Sequence, residues 1–315
     1  MQPSQITVIA PATTANLGPG FDVFGLALKV PHDKVTLAQI PKGVRIDITG
    51  LSADTIPTAP EMNTGGVVAS RIIEEFQLNR GVAIAIDKGI LQGKGLGSSA
   101  ASAAATAYAM NELFNLRLDN KALVRLAAEG ETASAGYAHA DNAAAAICGG
   151  FVIVRSYNPL EIINLKAPAD LEVCVAYSHM ETPMHKTEKA RSVIPKQVSI
   201  EKLVRNVGSA AALATGFAEG DVDLIGASMS DAVVEPERAA LIPGYHRVKD
   251  DALKAGAAGV AISGAGPGMI AIVNKRKAES AKVCAAMKSA FESSGFAATA
   301  FVTTAGRGVH VTEMK

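Results

Sequence analysis

Residues 93–99 read Gly93-Lys-Gly-Leu-Gly-Ser-Ser99, and an alanine-rich run, Ala-Ala-Ser-Ala-Ala-Ala, carries on to residue 105. Glycines at alternate positions open backbone angles closed to other residues and let a ligand approach the main chain. The alanines that follow favour a helix. Ser98 and Ser99 then fall in its first turn, where free N–H groups and the positive end of the helix dipole converge. That arrangement seats phosphate, and neighbouring hydroxyls can bind phosphate oxygens or ligate magnesium. The stretch is not a Walker A loop, because Lys94 is followed by Gly95, and it does not fit Gly-x-Gly-x-x-Gly. The plainer alternative is a glycine turn capped by serine ahead of a core helix.

Working outward, the composition suits a globular protein with a substantial core. The chain has 315 residues, 49% of them hydrophobic, with a mean hydropathy of +0.22, enough for one large or two medium domains. Thirty basic residues balance thirty acidic ones, so no bulk field draws nucleic acid or an anionic membrane. Aromatics are 4% of the chain and Trp is absent, which argues against a base-stacking role. No apolar run reaches bilayer length, and the first residues lack the pattern of a secretory signal. Cys148, Cys174 and Cys284 are widely spaced and form no Cys-x-x-Cys pair, so they read as small buried hydrophobes in a reducing cytoplasm. No helical His-x-x-x-His pair suggests a transition-metal site.

Hydrophobic periodicity predicts strands at 5–10, 23–30, 34–38, 44–48, 82–86 and 151–155, with the break at Pro11 opening a loop over 11–20. Helices are predicted at 63–76, 99–114 and 119–134, and from Asp141. After Pro168 the pattern restarts: a strand at 171–177, a polar, exposed and mobile stretch at 178–198, and helices at 199–218, 221–230 and 246–255. Strands at 259–262 and 269–273 flank a second glycine loop, Ser263-Gly-Ala-Gly-Pro-Gly268. A helix around 283–291 and a closing strand at 298–303 complete an α+β plan with a mostly antiparallel second sheet. The expected division is 1–167 and 168–315.

Three loop motifs therefore stand in order: Pro11-Ala-Thr-Thr-Ala-Asn-Leu-Gly-Pro-Gly-Phe-Asp22, then residues 93–99, then residues 263–268. Together they resemble the GHMP small-molecule kinases over essentially the whole chain. Leu91-Gln-Gly-Lys94 replaces the usual proline entry to the second motif. Within that superfamily the homoserine kinases are most similar: Asn16 to Asp22 fits, as do Gly130-Glu131, His139-Ala-Asp-Asn142, Thr187 with Arg191, and Glu235-Pro-Glu-Arg238 followed by Ile242-Pro-Gly244. The resemblance implies a two-domain GHMP kinase fold. Its N-terminal, ATP-binding domain would be ribosomal protein S5 domain 2-like and its C-terminal domain ferredoxin-like, with the active site between them.

It also implies ATP and Mg2+ as cofactors, L-homoserine as substrate, a cytoplasmic location and a homodimer. The nucleotide would lie on Gly93, Lys94, Gly95, Leu96, Gly97, Ser98, Ser99, Ala100, Ala101 and Ser102, with Gly264 and Gly266 helping to cover it. Ser99 and Glu131 would hold the metal. Arg191 and Arg238 suit the carboxylate of an amino acid, because guanidinium grips it bidentately, and Asp22 suits the ammonium. Asn16, His139 and Thr187 would complete the substrate pocket. Asn142 stands where a base might be sought, yet an amide takes no proton at neutral pH. Phosphoryl transfer tolerates that, since its loose transition state asks little activation of the nucleophile. Asn142 would aim the hydroxyl while Lys94 and the helix N-terminus stabilise charge. Asp141 is the rival base.

Overall fold

The computed structural model describes residues 3–135, 139–181 and 186–315. Its first sheet contains β1 (Gln5–Asn16), β2 (Gly20–Ile40), β3 (Val44–Gly50), β4 (Gly81–Lys88), β5 (Phe151–Tyr157), β6 (Leu160–Leu165) and β11 (His310–Met314). The order is β11-β1-β2-β4-β3, with β5 joined to the first part of β2 and β6 beyond it. Every pairing is antiparallel except β3 with β4. Against this sheet pack α1 (Thr64–Glu75), α2 (Ser98–Phe114), α3 (Asn120–Ala135) and α4 (Ala140–Cys148). Asn63 caps α1 by accepting from the amides of Gly65 and Gly66. In α2 the alanines at 100, 101, 103, 104, 105, 107 and 109 are all wholly buried. Small side chains let α1, α3 and α4 close around it.

The second sheet is antiparallel, ordered β10 (Ala298–Thr304), β7 (Leu171–Ser178), β9 (Met269–Asn274), β8 (Gly259–Ile262). On one face α9 (Tyr245–Lys254) and α10 (Ser280–Glu292) enclose a smaller core. The other face, with Val173, Val175, Ile270 and Ile272, joins the main core. There Phe217, from α6 (Ile200–Glu219), stacks on Phe151 with centroids 3.8 Å apart. α7 (Val222–Ala227) follows α6 and packs on β8 and β9.

Several sequence expectations need correction. The predicted break at Pro11 is absent: β1 runs on to Asn16. Its pairing with β11 ends at Ile9, and the register against β2 slips between Pro11 and Thr13, so a residue without an N–H is tolerated. The strands expected at 23–30 and 34–38 are one, β2, continuous through Pro31. The strand at 298–303 does not close the chain: β11 follows it and returns to the edge of the first sheet against β1. β6 and α8 (Glu235–Ala239) carried no clear periodicity. The stretch 178–198 is not simply polar surface. It contains α5 (Lys186–Ser192), whose Ala190 is buried. The remainder of that expectation, at 182–185 and including Pro183, lies outside the described residues.

One buried ion pair fixes α2 to the sheet. Lys88, at the end of β4, donates to the Asp33 carboxylate, to the Ser98 carbonyl at 3.0 Å and to the Ser102 hydroxyl at 3.0 Å. The other Asp33 oxygen accepts from the amides of Gly89 and Ile90, both at 3.0 Å. Removing one member leaves the other charged, buried and unpaired, at a cost of about 3–5 kcal/mol. Lys88→Met is therefore expected to lose about that much in a urea melt. The double variant Lys88→Met/Asp33→Asn should recover part of it; an unchanged midpoint for the single variant would show the pair to be dispensable.

Candidate active site

A cleft of about 890 Å³ runs between the two halves and gathers residues from every motif picked out in the sequence. Lining it are Asn16, Asp22, Gly93, Lys94, Gly95, Leu96, Gly97, Ser98, Ser99 and Ser102. Glu131, His139, Asn142, Thr187, Arg191, Arg238 and Gly264 also reach it. Three expected residues do not. Ala100 and Ala101 are wholly buried in the core. Gly266 lies behind the wall, its carbonyl accepting from Lys186.

The glycine loop is held by close backbone approach. Gly95 has φ +78°, and a Cβ there would sit 2.2 Å from the Ser263 carbonyl. A Cβ on Gly97, the residue before α2, would sit 1.9 Å from Thr13 Oγ1. Of the serines, Ser98 spends its hydroxyl on the Ile90 carbonyl at 2.9 Å, and Ser102 on Asp33 at 3.3 Å. Both hydroxyls are engaged within the protein, that of Ser98 on the loop before α2 and that of Ser102 in the Asp33–Lys88 anchor beneath. Ser99 lines the cleft. Lys94 donates to the Met180 carbonyl at 2.9 Å, and burial lowers its pKa.

Two carboxyls lie under the loop. Glu131 lies on α3. It is buried, and its pKa is pushed up to about 8, first by burial and then by the charge of Asp141. Asp141 is raised to about 7, mainly by burial and then by Asp22. Both are costly to ionise until a cation arrives. Such a donor set fits Mg2+, which takes one or two carboxylates plus substrate phosphates. Ser99 and Glu131 would hold it. Asp141 Oδ1 accepts from the Asn142 amide at 2.7 Å and from its side-chain nitrogen at 3.2 Å, while Thr13 donates to Asn142 Oδ1 at 2.7 Å. The carboxamide is thus oriented from both sides.

At the opposite wall Arg191 donates to Asp22 at 2.8 Å. His139 stands 3.7 Å from the other Asp22 oxygen, and its pKa is lowered, chiefly by burial. The Phe21 ring lies 5.5 Å from Arg191 Cζ and 5.1 Å from Arg238 Cζ. Arg238 donates to the carbonyls of Ala190 and Gly264, both at 3.0 Å. Asn16 donates to the same Gly264 carbonyl at 2.9 Å and accepts from the Asp22 amide. Carboxylate and guanidinium side by side form a receptor for a zwitterion. Sequence reading missed Thr13, a buried donor to Asn142, and the cleft residues Phe21 and Lys186. Thr13 and Phe21 lie within the first motif, and Lys186 directly precedes Thr187.

The GHMP kinases N terminal domain family matches residues 64–150, and the GHMP kinases C terminal family matches 210–293. A homoserine kinase of Methanococcus vannielii is 46% identical over 273 residues, 86% of this chain and 88% of that protein. That likeness is decisive. The chain belongs to the homoserine kinase family of the GHMP kinases. Another homoserine kinase, from Halorubrum lacusprofundi, is 44% identical and covers 98% of this chain and 99% of its own. Among solved structures, homoserine kinase from Cytophaga hutchinsonii superposes with a TM-score of 0.91 at 39% identity, covering 99% of this chain and 98% of that one. The L. major mevalonate kinase, solved with R-mevalonate, gives a TM-score of 0.71 at 14% identity, with 97% and 98% of the chains covered, a likeness of fold alone. In this homoserine kinase family member no helix among the described residues is long and apolar enough to cross a membrane.

The raised Glu131 pKa has a sign that can be checked. Folding lifts the group from 4.5 to about 8, so the folded protein takes up a proton that the unfolded chain lacks. Stability from this group is therefore full below pH 4.5 and is lost as pH rises towards 8. In metal-free protein, Glu131→Gln should gain on the wild type steadily between pH 5 and pH 8, by on the order of several kcal/mol at most. Thermal melts across that range read it. A pH-independent difference would mean that Glu131 ionises as it does in water.

Proposed function

We propose that this chain transfers the γ-phosphoryl group of ATP to the side-chain hydroxyl of L-homoserine, giving O-phospho-L-homoserine and ADP on the route to threonine. The observation that carries the reading is the Asp22–Arg191 pair, at 2.8 Å, facing the same cleft as the glycine loop and Asn142. An amino acid satisfies both charges at once, its ammonium at Asp22 and its carboxylate at Arg191 with Arg238 behind. Mevalonate and shikimate, substrates of the nearest alternative GHMP kinases, bring a carboxylate but nothing for Asp22. A sugar brings neither charge.

Nucleotide phosphates would lie along residues 93–99, over the first turn of α2. Mg2+ supplies charge neutralisation when bound. Asn142, clamped between Thr13 and Asp141, orients the substrate hydroxyl in line with the phosphoryl group, and no protein base is required. Asp141 acts by holding Asn142. The cytoplasmic location and the homodimer belong to this reading through the family resemblance, and sedimentation in solution gives the mass that tests the latter.

A coupled ADP-release assay over homoserine, mevalonate, shikimate, serine and galactose should show turnover with homoserine far above the rest. Equal rates with shikimate or mevalonate would refute the amino-acid reading. Arg191→Ala should raise KM for homoserine by about 10- to 100-fold, the worth of a charge-assisted contact. Asp141→Asn should keep kcat within about tenfold, since it retains an acceptor for the Asn142 amide. A drop of several orders of magnitude, with the fold intact by circular dichroism, would restore Asp141 as the base.

A further inference from the structure

Lys186 opens α5 immediately before Thr187, and the resemblance assigns it no role. Its ammonium donates to the Gly93 carbonyl at 3.1 Å and to the Gly266 carbonyl. These carbonyls belong to the two glycine loops, one from each half of the protein. Lys186 lines the cleft together with Lys94 and Arg238. Three cations from separate segments, the glycine loop, α5 and α8, thus line one cleft. The charges acting on Lys186 are both positive, Arg238 and then Lys94, and with burial they push its pKa down to about 7.

Such a gathering is unfavourable by itself. Like charges repel, and carbonyl dipoles offset a buried ammonium only in part. An anion that reaches all three reverses the sign of the interaction. An ammonium has three donors, and two of them are spent on Gly93 and Gly266. Among the described residues nothing takes the third, which a ligand lying between the loops can accept. The anion whose seat is beside Gly93 is the polyphosphate tail of the nucleotide.

We propose that Lys186 is a phosphate ligand that joins the two glycine loops and gives its remaining N–H to the terminal phosphates of ATP. This inference rests on the kinase reading above and extends it to a residue outside the quoted motifs. Phosphate beside it favours the charged ammonium, so the contact strengthens as the nucleotide settles. The long flexible stem of lysine suits a ligand whose phosphates move during transfer.

The test uses the full-length protein with ATP and L-homoserine as separate probes. By calorimetry, Lys186→Met should bind ATP about 10- to 100-fold more weakly than wild type, the worth of a charged hydrogen bond. Homoserine binding should stay within about twofold, and Lys186→Arg should restore most of the ATP affinity. Independently of turnover, trace acetylation of wild type read by mass spectrometry should modify Lys186 in the free protein. ATP, but not homoserine, should protect it. Lys186→Met that binds ATP as tightly as wild type would overturn the proposal. So would equal loss of ATP and homoserine affinity together with a lowered Tm, which would mark a structural staple. Wild-type protein that binds no ATP at all would instead bring down the kinase reading, and this inference with it.

Discussion

The cleft exists because two glycine loops press backbone against backbone. A Cβ on Gly95 would collide with the Ser263 carbonyl at 2.2 Å, and one on Gly268 with the Lys94 carbonyl at 2.3 Å. Side chains on either loop would force the halves apart by an atom's width, because packed backbone cannot yield as a flexible side chain can. The seam is then tied by hydrogen bonds. Ser263 donates to the Gly95 carbonyl at 2.6 Å, and its hydroxyl meets that of Thr14 at 2.9 Å. The Gly264 amide donates to Ala15 at 3.1 Å. Through the Gly264 carbonyl, which Asn16 and Arg238 share, the amino-acid receptor is referred to the same frame as the phosphate loop. Under the proposed function, two substrates bound in this cleft would then meet in a fixed geometry, the condition for catalysis by approximation.

The first motif is held under strain for the same purpose. Asn16, Leu17 and Asp22 all have positive φ, at 74°, 46° and 57°. Left-handed backbone at residues with side chains costs roughly 1–3 kcal/mol each and persists only where surroundings over-determine it. Here they do. The Asn16 side chain grips the Asp22 amide, and the Tyr157 hydroxyl, from the β5–β6 hairpin, donates to the Asp22 carbonyl at 2.7 Å. Asp22 thus faces Arg191 from a backbone that cannot swing away. A flexible carboxylate would meet the same guanidinium, but would lose more entropy on exchanging it for a ligand's ammonium.

Much of this was legible in the sequence, for identifiable reasons. Glycines at alternate positions followed by alanines admit few structures, so the loop and α2 were readable. Antiparallel strands with alternating burial, such as β4, were readable for the same reason. Pro11 misled because proline marks a break only where its N–H would be needed, and β11, which decides that, comes from the other end of the chain. The burial of Glu131 was not legible because its own helix does not fix it; it belongs to the packing around α3, against which α1 lies. Lys186 sat in a stretch rich in charge and proline, where a cation reads as surface. Only the tertiary approach of two loops turns it inward.

The charge distribution shows how a neutral chain can recognise highly charged ligands. Thirty cations cancel thirty anions over the whole molecule, yet the cleft sorts them. Burial lifts the Glu131 and Asp141 carboxyls towards neutrality and presses Lys94 and Lys186 in the same direction from the other side. In free protein burial thus biases each group towards its neutral form, which a charged ligand opposes. A divalent cation favours the carboxylates, and a polyphosphate favours the ammoniums. The penalty of burying four ionisable groups around an empty cleft is relieved only by a ligand that carries both signs. A metal–nucleotide complex has that pattern, and either component alone would relieve only half of it.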